Sequence, residues 1–220
     1  MRLRYLKVES SSTNGGLFDG LEVWFGRGAD GKQGEALSPL CLIGPNGSGK
    51  SQFLQLIAEI FQAAWHEHAP QEERASANND VLFELNYLIG LDSNNKLTDV
   101  KLVRTKQGRN IGPIQLYCDG LQEPISTDSP EFGKYLPSIV IGYTSGDNET
   151  LSLPFQISRS GYANDVAGAA LGDSASMNLP DNRLMMIDYG TNLEVLFSNL
   201  MLGKQEIRDE ILRHARLSDI

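Results

Sequence analysis

Leu40-Cys41-Leu42-Ile43-Gly44-Pro45-Asn46-Gly47-Ser48-Gly49-Lys50-Ser51 is the most informative stretch of the sequence. From Gly44 onward it fits the phosphate-binding pattern G-x-x-x-x-G-K-[ST], the Walker A motif, without a mismatch. An apolar run, Leu40 to Ile43, precedes the glycines, and an apolar-periodic segment, Phe53 to Trp65, follows them. This order predicts a strand, a phosphate-binding loop and a helix; the alternative is a Gly-rich turn that matches by chance.

Each residue type in the loop has a physical role. We expect Gly44, Gly47 and Gly49 to turn the backbone with positive φ and to let it approach phosphate oxygens. The N-terminus of the following helix adds unpaired amide donors and the positive end of the helix dipole. Lys50 supplies a charge for the β and γ phosphates, and Ser51 places its hydroxyl on a Mg²⁺ ion. The predicted nucleotide-binding residues are Gly44, Pro45, Asn46, Gly47, Ser48, Gly49, Lys50, Ser51 and Gln52, with Ser51 as the metal ligand.

Length and composition limit the classes of protein to which the chain can belong. A chain of 220 residues with 40% hydrophobic content can build a globular core. No run approaches the roughly 18 apolar residues of a membrane span, and the first residues lack the apolar core of a signal peptide, so a cytoplasmic location without a membrane is the default expectation. Cys41 and Cys118 are too few for a disulfide scaffold, and both are expected to be buried thiols. The net charge of −9 argues against a protein that coats nucleic acid, although a local basic groove stays open.

Alternation of apolar and polar residues predicts the strands. Residues 2–9 and 17–25 read as two opening strands. After a polar linker, the segments 81–89, 99–104 and 114–118, with a weaker one at 122–125, follow one another with only turn signals between them. Closely spaced strands without intervening helices predict an antiparallel meander.

The loop sequence Gly-Pro-Asn-Gly-Ser-Gly-Lys-Ser, together with the opening strands and the meander, resembles the N-terminal part of bacterial AAA-family ATPases with ABC/SMC-like heads, some of which accompany restriction or other anti-phage systems. The resemblance covers approximately residues 1–150. It implies an α/β fold: a P-loop NTPase core, with residues 80–126 as an antiparallel β-subdomain and residues 1–220 as a single head, incomplete at its C-terminus. Tyr5, Phe18 and Trp24 become candidates for stacking on adenine, with ordinary core or surface aromatics as the alternative.

The same resemblance implies cofactors and partners. ATP and Mg²⁺ would be sandwiched in a head-to-head dimer, and ATP binding and hydrolysis would gate a nuclease or another defence partner, or the handling of DNA. A transporter-type ATP-binding subunit and a non-hydrolysing nucleotide sensor stay open as alternatives. The ATP hydrolase activity is expected of a longer protein or complex, and whether the 220-residue chain hydrolyses ATP alone stays open.

The second half of the chain carries weaker signals. Residues 139–143 predict a strand that returns to the core sheet, followed by a loop over 144–155 in which Ser145-Gly146 could begin an ABC-type signature. Pro154 argues against a helix there. Asn148 and Glu149 are candidates for contact with the nucleotide or its water. Residues 156–183 have the composition of a flexible loop.

Leu184-Met-Met-Ile-Asp188 resembles the strand whose aspartate holds Mg²⁺ in this ATPase class, although Tyr189 stands where those heads have a catalytic glutamate. An ordinary buried strand or helix entry is the alternative. The catalytic base is therefore unassigned, with Asp188 and Glu149 as candidates.

Two helical segments, 192–202 and 204–217, carry an apolar stripe that predicts core packing rather than partner binding. The stripe contains Leu193, Phe197, Leu200, Ile207 and Ile211. The resemblance predicts two further elements after Ile220: a signature helix, and a strand of four apolar residues that ends in Asp-Glu.

Overall fold

The protein is described by a computed structural model that places residues 1–25, 39–74, 78, 80–91, 97–119, 121–144, 148–171 and 182–215. Its strands are β1 (Arg2–Ser10), β2 (Glu22–Trp24), β3 (Leu82–Gly90), β4 (Leu97–Arg104), β5 (Lys106–Gln107), β6 (Asn110–Ile111), β7 (Gln115–Cys118), β8 (Val140–Tyr143) and β9 (Leu184–Ile187). Its helices are α1 (Lys50–His68), α2 (Pro130–Lys134), α3 (Glu149–Leu171), α4 (Tyr189–Leu202) and α5 (Gln205–Ala215), and a 3₁₀ turn spans Thr13–Gly16.

One antiparallel sheet joins the opening strands to the meander. The strand order is β2-β1-β3-β4-β7, and every neighbouring pair is antiparallel. Side chains of β3 alternate between buried and half-buried positions, as expected when one face of a sheet covers a core. The predicted strands at 2–9, 81–89, 99–104 and 114–118 are confirmed, while the weak one at 122–125 is an isolated bridge between Leu116 and Ile125.

The second opening strand is shorter than its apolar pattern predicts. The 3₁₀ turn Thr13–Gly16 precedes it, and Gly16 and Gly20 have φ of 80° and 75°, values that end an extended conformation. Regular pairing with β1 is therefore confined to Glu22–Trp24.

Helix α1 lies in the middle of the molecule and is buried on more than one side. Leu56, Ile60 and Phe61 pack with the antiparallel sheet in the main core cluster. Ala58, from another side of the same helix, packs with Leu151 and other residues of a second, smaller cluster. The apolar periodicity that predicts a helix over 53–65 is confirmed, and α1 is held between two layers.

A short parallel pair completes the layer opposite the sheet. Strand β8 pairs with β9 in register, with Val140 beside Leu184 and Tyr143 beside Ile187. A hydrogen bond from the Thr144 N–H to the Ile187 carbonyl (3.1 Å) extends the pairing by one residue. The strands predicted at 139–143 and before Asp188 are thus confirmed, and their carboxyl ends lie at one edge. The expectation that residues 139–143 return to the core sheet is wrong, because β8 and β9 form a separate two-stranded sheet among the described residues.

The apolar run before the phosphate loop is not a strand. Leu40 to Ile43 have no regular secondary structure, and Ile43 is 91% exposed. A strand needs a neighbour for its backbone donors and acceptors, and no strand of the described ranges pairs with residues 39–43. Cys41 is exposed as a consequence, contrary to expectation, whereas Cys118 is buried as expected.

Helix α3 replaces the predicted loops of residues 144–155 and 156–183. It runs from Glu149 to Leu171 and contains Pro154, while residues 172–181 and Ser145-Gly146 lie outside the described ranges. Pro154 lies in the second turn, where its missing N–H removes the helical hydrogen bond to the carbonyl of residue 150. Leu151, Phe155 and Ser158 lie on one buried side of the helix, at i, i+4 and i+7, and Ser152 and Pro154 are buried beside them. Buried serines thus interrupt the apolar period.

The two C-terminal helices exist as predicted, although residues 216–217 of the second prediction lie outside the described ranges. Most of their apolar stripe is exposed. Leu193 and Phe197 are 65% and 66% exposed, and Ile207 is also exposed. Leu200 and Ile211 are half-buried, so the expectation of core packing is wrong for Leu193, Phe197 and Ile207. None of the helices that the structure describes has the length and apolar character needed to cross a membrane.

Candidate nucleotide-binding site

The phosphate loop has an open conformation shaped by its glycines. Gly47 and Gly49 have φ of 82° and 87°, which confirms the expected positive φ at both positions. Gly44 does not share it, so that part of the prediction is wrong. A Cβ on Gly44 would lie 2.8 Å from the Ser48 Oγ and 3.5 Å from the Ser48 Cβ, and rotation of the exposed Ser48 hydroxyl can relieve the closer contact.

Amide donors are available where the loop enters α1. Gly49 caps the helix without a side-chain hydrogen bond, and the Phe53 N–H donates to the Gly49 carbonyl (2.8 Å) as the first helical bond. The N–H groups of Lys50, Ser51 and Gln52 precede that bond and have no acceptor within the helix. Residues Gly44 to Ser48 are exposed, so an anion can reach these donors from solvent.

Lys50 folds back across the loop. Its Nζ donates to the Gly44 carbonyl (2.9 Å), to the Pro45 carbonyl (2.7 Å) and to the Ser48 Oγ (3.3 Å). The ammonium group therefore lies over the loop, where it can exchange neutral carbonyl oxygens for charged phosphate oxygens.

The structure brings Asn148 to Ser51, although the two are 97 residues apart. The Asn148 Nδ2 donates to the Ser51 Oγ (3.1 Å), and the Asn148 Oδ1 accepts from the Leu151 N–H (3.1 Å) in the first turn of α3. Because the backbone bond identifies the amide oxygen, the nitrogen must face the hydroxyl. Glu149 is exposed and begins α3 beside this contact.

Asp188 lies directly after β9, at the same edge of the parallel pair as the residues that follow β8. It is half-buried, and its Oδ1 is 3.5 Å from the position of a Cβ on Gly190, so the carboxylate lies beside the first turn of α4. Within the described ranges no group of three His, Cys, Asp or Glu residues could hold a metal ion. The metal-binding and catalytic roles of Asp188 and Glu149 stay predictions.

The candidate adenine-stacking aromatics occupy different environments. Phe18 is buried against Phe53, with the ring centroids 6.0 Å apart. Tyr5 is buried beside Trp24 (4.4 Å), which is 63% exposed on the outer face of the sheet. Buried rings have no free face for a base, so the alternative of an ordinary packed aromatic holds for Phe18 and Tyr5, and stacking by Trp24 stays a prediction.

Sequence reasoning missed the support beneath the loop. A Cβ on Gly49 would lie 3.3 Å from Leu17 Cδ2 and 3.9 Å from two ring atoms of Phe18. These side chains pack against the start of α1. No motif marks them, because they act through shape alone.

An open cavity of about 780 Å³ lies at the other end of α1, lined in part by His66, Glu67 and Arg109. A helical rise of 1.5 Å per residue puts His66 about 24 Å from Lys50 along the axis. This cavity is therefore separate from the phosphate loop.

Comparison with known proteins agrees with the loop chemistry. Residues 39–123 match the model of the AAA domain (dynein-related subfamily), a span that contains the loop, α1 and strands β3 to β7. No curated protein and no solved structure matches the chain. An AAA domain implies nucleotide binding and, in general, ATPase activity. The α/β architecture with a mostly antiparallel sheet is consistent with a P-loop NTPase.

Proposed function

We propose that the protein is the ATP-binding and ATP-hydrolysing head of an ABC/SMC-like ATPase. The observation that carries this proposal is the phosphate loop: exposed from Gly44 to Ser48, with positive φ at Gly47 and Gly49, and opening onto the unpaired donors of α1. An anion bound there meets several N–H groups and the positive end of a helix dipole at once.

Different residues of the loop bind the phosphates and the Mg²⁺ of Mg·ATP. Lys50 leaves the carbonyl oxygens that it now contacts and binds the phosphates, where each interaction is charge-assisted. Ser51 provides a hydroxyl oxygen, a hard donor of the kind that Mg²⁺ prefers. Bound Mg²⁺ would neutralise the phosphate charge that grows during phosphoryl transfer.

Hydrolysis needs two further functions, a second metal ligand and a group that orients the attacking water. We assign Asp188 to the metal, because it directly follows β9, which runs parallel to β8, the strand that precedes Asn148. Glu149 is our candidate for the water, because it is exposed next to the residue that contacts Ser51.

Isothermal calorimetry with Lys50→Ala tests the proposal. Loss of one charge-assisted contact costs about 1.5–3 kcal/mol, so ATP affinity is expected to fall about 10- to 150-fold. Lys134→Ala is the matched control, because Lys134 is an exposed lysine that pairs with Glu131 on the surface helix α2. Equal ATP affinity in the wild type and in Lys50→Ala, with normal circular dichroism, would refute the assignment.

Phosphate release separates hydrolysis from binding alone. Release that Lys50→Ala abolishes would support an ATPase. Tight binding without release, in the complete gene product, would favour the non-hydrolysing nucleotide sensor, a second candidate that Tyr189 supports by its place after Asp188.

We also propose that two heads associate with ATP between them, and that this dimer gates a nuclease, a DNA-directed partner or another defence partner. The exposed apolar residues of α4, such as Leu193 and Phe197, support an association surface. Sedimentation velocity with and without Mg·ATP tests the dimer, and a monomer at every protein and nucleotide concentration would contradict it.

A further inference from the structure

The contact between Asn148 and Ser51 holds the hydroxyl from outside the loop. Both ends of the Asn148 amide are engaged, because Nδ2 donates to the Ser51 Oγ and Oδ1 accepts from the Leu151 N–H. The Asn148 carbonyl also accepts from the Ser152 N–H (3.0 Å). Three interactions thus fix one residue between the phosphate loop and the first turn of α3.

A hydroxyl group has one proton to donate and two positions at which it accepts. Asn148 uses one accepting position of the Ser51 oxygen. The other accepting position is left for a cation, and the proton is left for a phosphate oxygen. The contact therefore orients the hydroxyl without competing with a divalent ion.

The helix that carries Asn148 is itself anchored to α1. Glu73, which is 1% exposed and follows α1, accepts a hydrogen bond from the Ser158 hydroxyl of α3 (2.6 Å). Gln62 of α1 donates to the Pro154 carbonyl (3.1 Å). These buried contacts fix the distance between the helix that carries Ser51 and the helix that Asn148 caps.

We propose that Asn148 is a positioning residue that sets the Ser51 hydroxyl for Mg²⁺ and thereby links the metal to the start of α3. The inference rests on the proposed nucleotide function and adds to it a group outside the loop. Coupling of two sites is reciprocal, so Mg·ATP binding also stabilises the first turn of α3.

The variant Asn148→Ser isolates this role. Serine keeps an oxygen that can cap α3, and its side chain is too short to reach Ser51. ATP affinity is measured by calorimetry in Mg²⁺ and again in EDTA. We expect affinity in Mg²⁺ to fall about 3- to 10-fold, the loss of one neutral hydrogen bond, with affinity in EDTA unchanged.

A double-mutant cycle with Ser51→Ala gives the decisive control. If Asn148 acts through the hydroxyl, Asn148→Ser has no further effect on affinity in Mg²⁺ once Ser51 is alanine. An equal effect in both backgrounds, an equal loss in EDTA or an unchanged affinity in Mg²⁺ would overturn the inference while leaving nucleotide binding intact. A wild-type protein that binds no ATP in either buffer would overturn both the inference and the proposed function.

Discussion

Replacing Ser158 by alanine measures how firmly α3 is packed onto α1. The Ser158 Oγ is buried and lies 2.6 Å from Glu73 Oε2 and 2.6 Å from Asn182 Oδ1. Its single proton goes to the carboxylate, the stronger acceptor. A hydrogen bond to a charged group contributes about 1.5–3 kcal/mol, and alanine regains about 0.5 kcal/mol of helix propensity. We expect Ser158→Ala to lower the free energy of unfolding by about 1–2.5 kcal/mol in urea denaturation.

Ser160→Ala is the matched control, because Ser160 is an exposed serine in the same helix. It gains the same propensity and loses no buried contact, so its free energy of unfolding is expected to stay within about 0.5 kcal/mol of the wild type. If Ser158→Ala and Ser160→Ala have the same stability, Ser158 does not lie in a buried junction. The packing of α3 against α1 would then be wrong.

Two further changes test the loop and the sheet. Gly49→Ala is expected to destabilise the protein by about 1–3 kcal/mol, and more than Gly47→Ala does. Both positions have positive φ, but only at Gly49 would a Cβ lie 3.3 Å from Leu17. Equal urea midpoints for the two variants would contradict the packing of Leu17 against the start of α1. Burial and the neighbouring Asp119 raise the pKa of Asp99 above its unfolded value, so the ionised carboxylate opposes folding above that pKa. Asp99→Asn should therefore raise the melting temperature at pH 7. The difference in melting temperature between the variant and the wild type should shrink as the pH falls through the pKa of Asp99. A lower melting temperature of the variant at pH 7 would contradict the prediction.

The parts of the fold that the sequence predicts are those with a complete local signal. The pattern from Gly44 to Ser51 needs no distant residue to be recognised, and α1 shows an uninterrupted apolar period. Strands β3 and β4 alternate along their length, and turn residues separate them. In each case the residues that determine the element lie within it.

Helix α3 shows where local signals are insufficient. Its buried face contains Ser158, whose partner Glu73 lies in another part of the chain, and its second turn contains Pro154. Hydrophobic periodicity treats a buried serine as a surface residue, so the pattern resembles a loop. The helix is stabilised by side chains that only packing brings into contact.

The sequence by itself determined the phosphate loop, the helix that follows it and the alternating strands of the antiparallel sheet. Only the tertiary structure decided that Asn148 reaches Ser51, that Leu40–Ile43 pairs with none of the described strands and that Leu193 and Phe197 of α4 face outward. The physical reason is that periodicity fixes which side of an element is apolar, whereas exposure and contact depend on which other elements are present to cover that side.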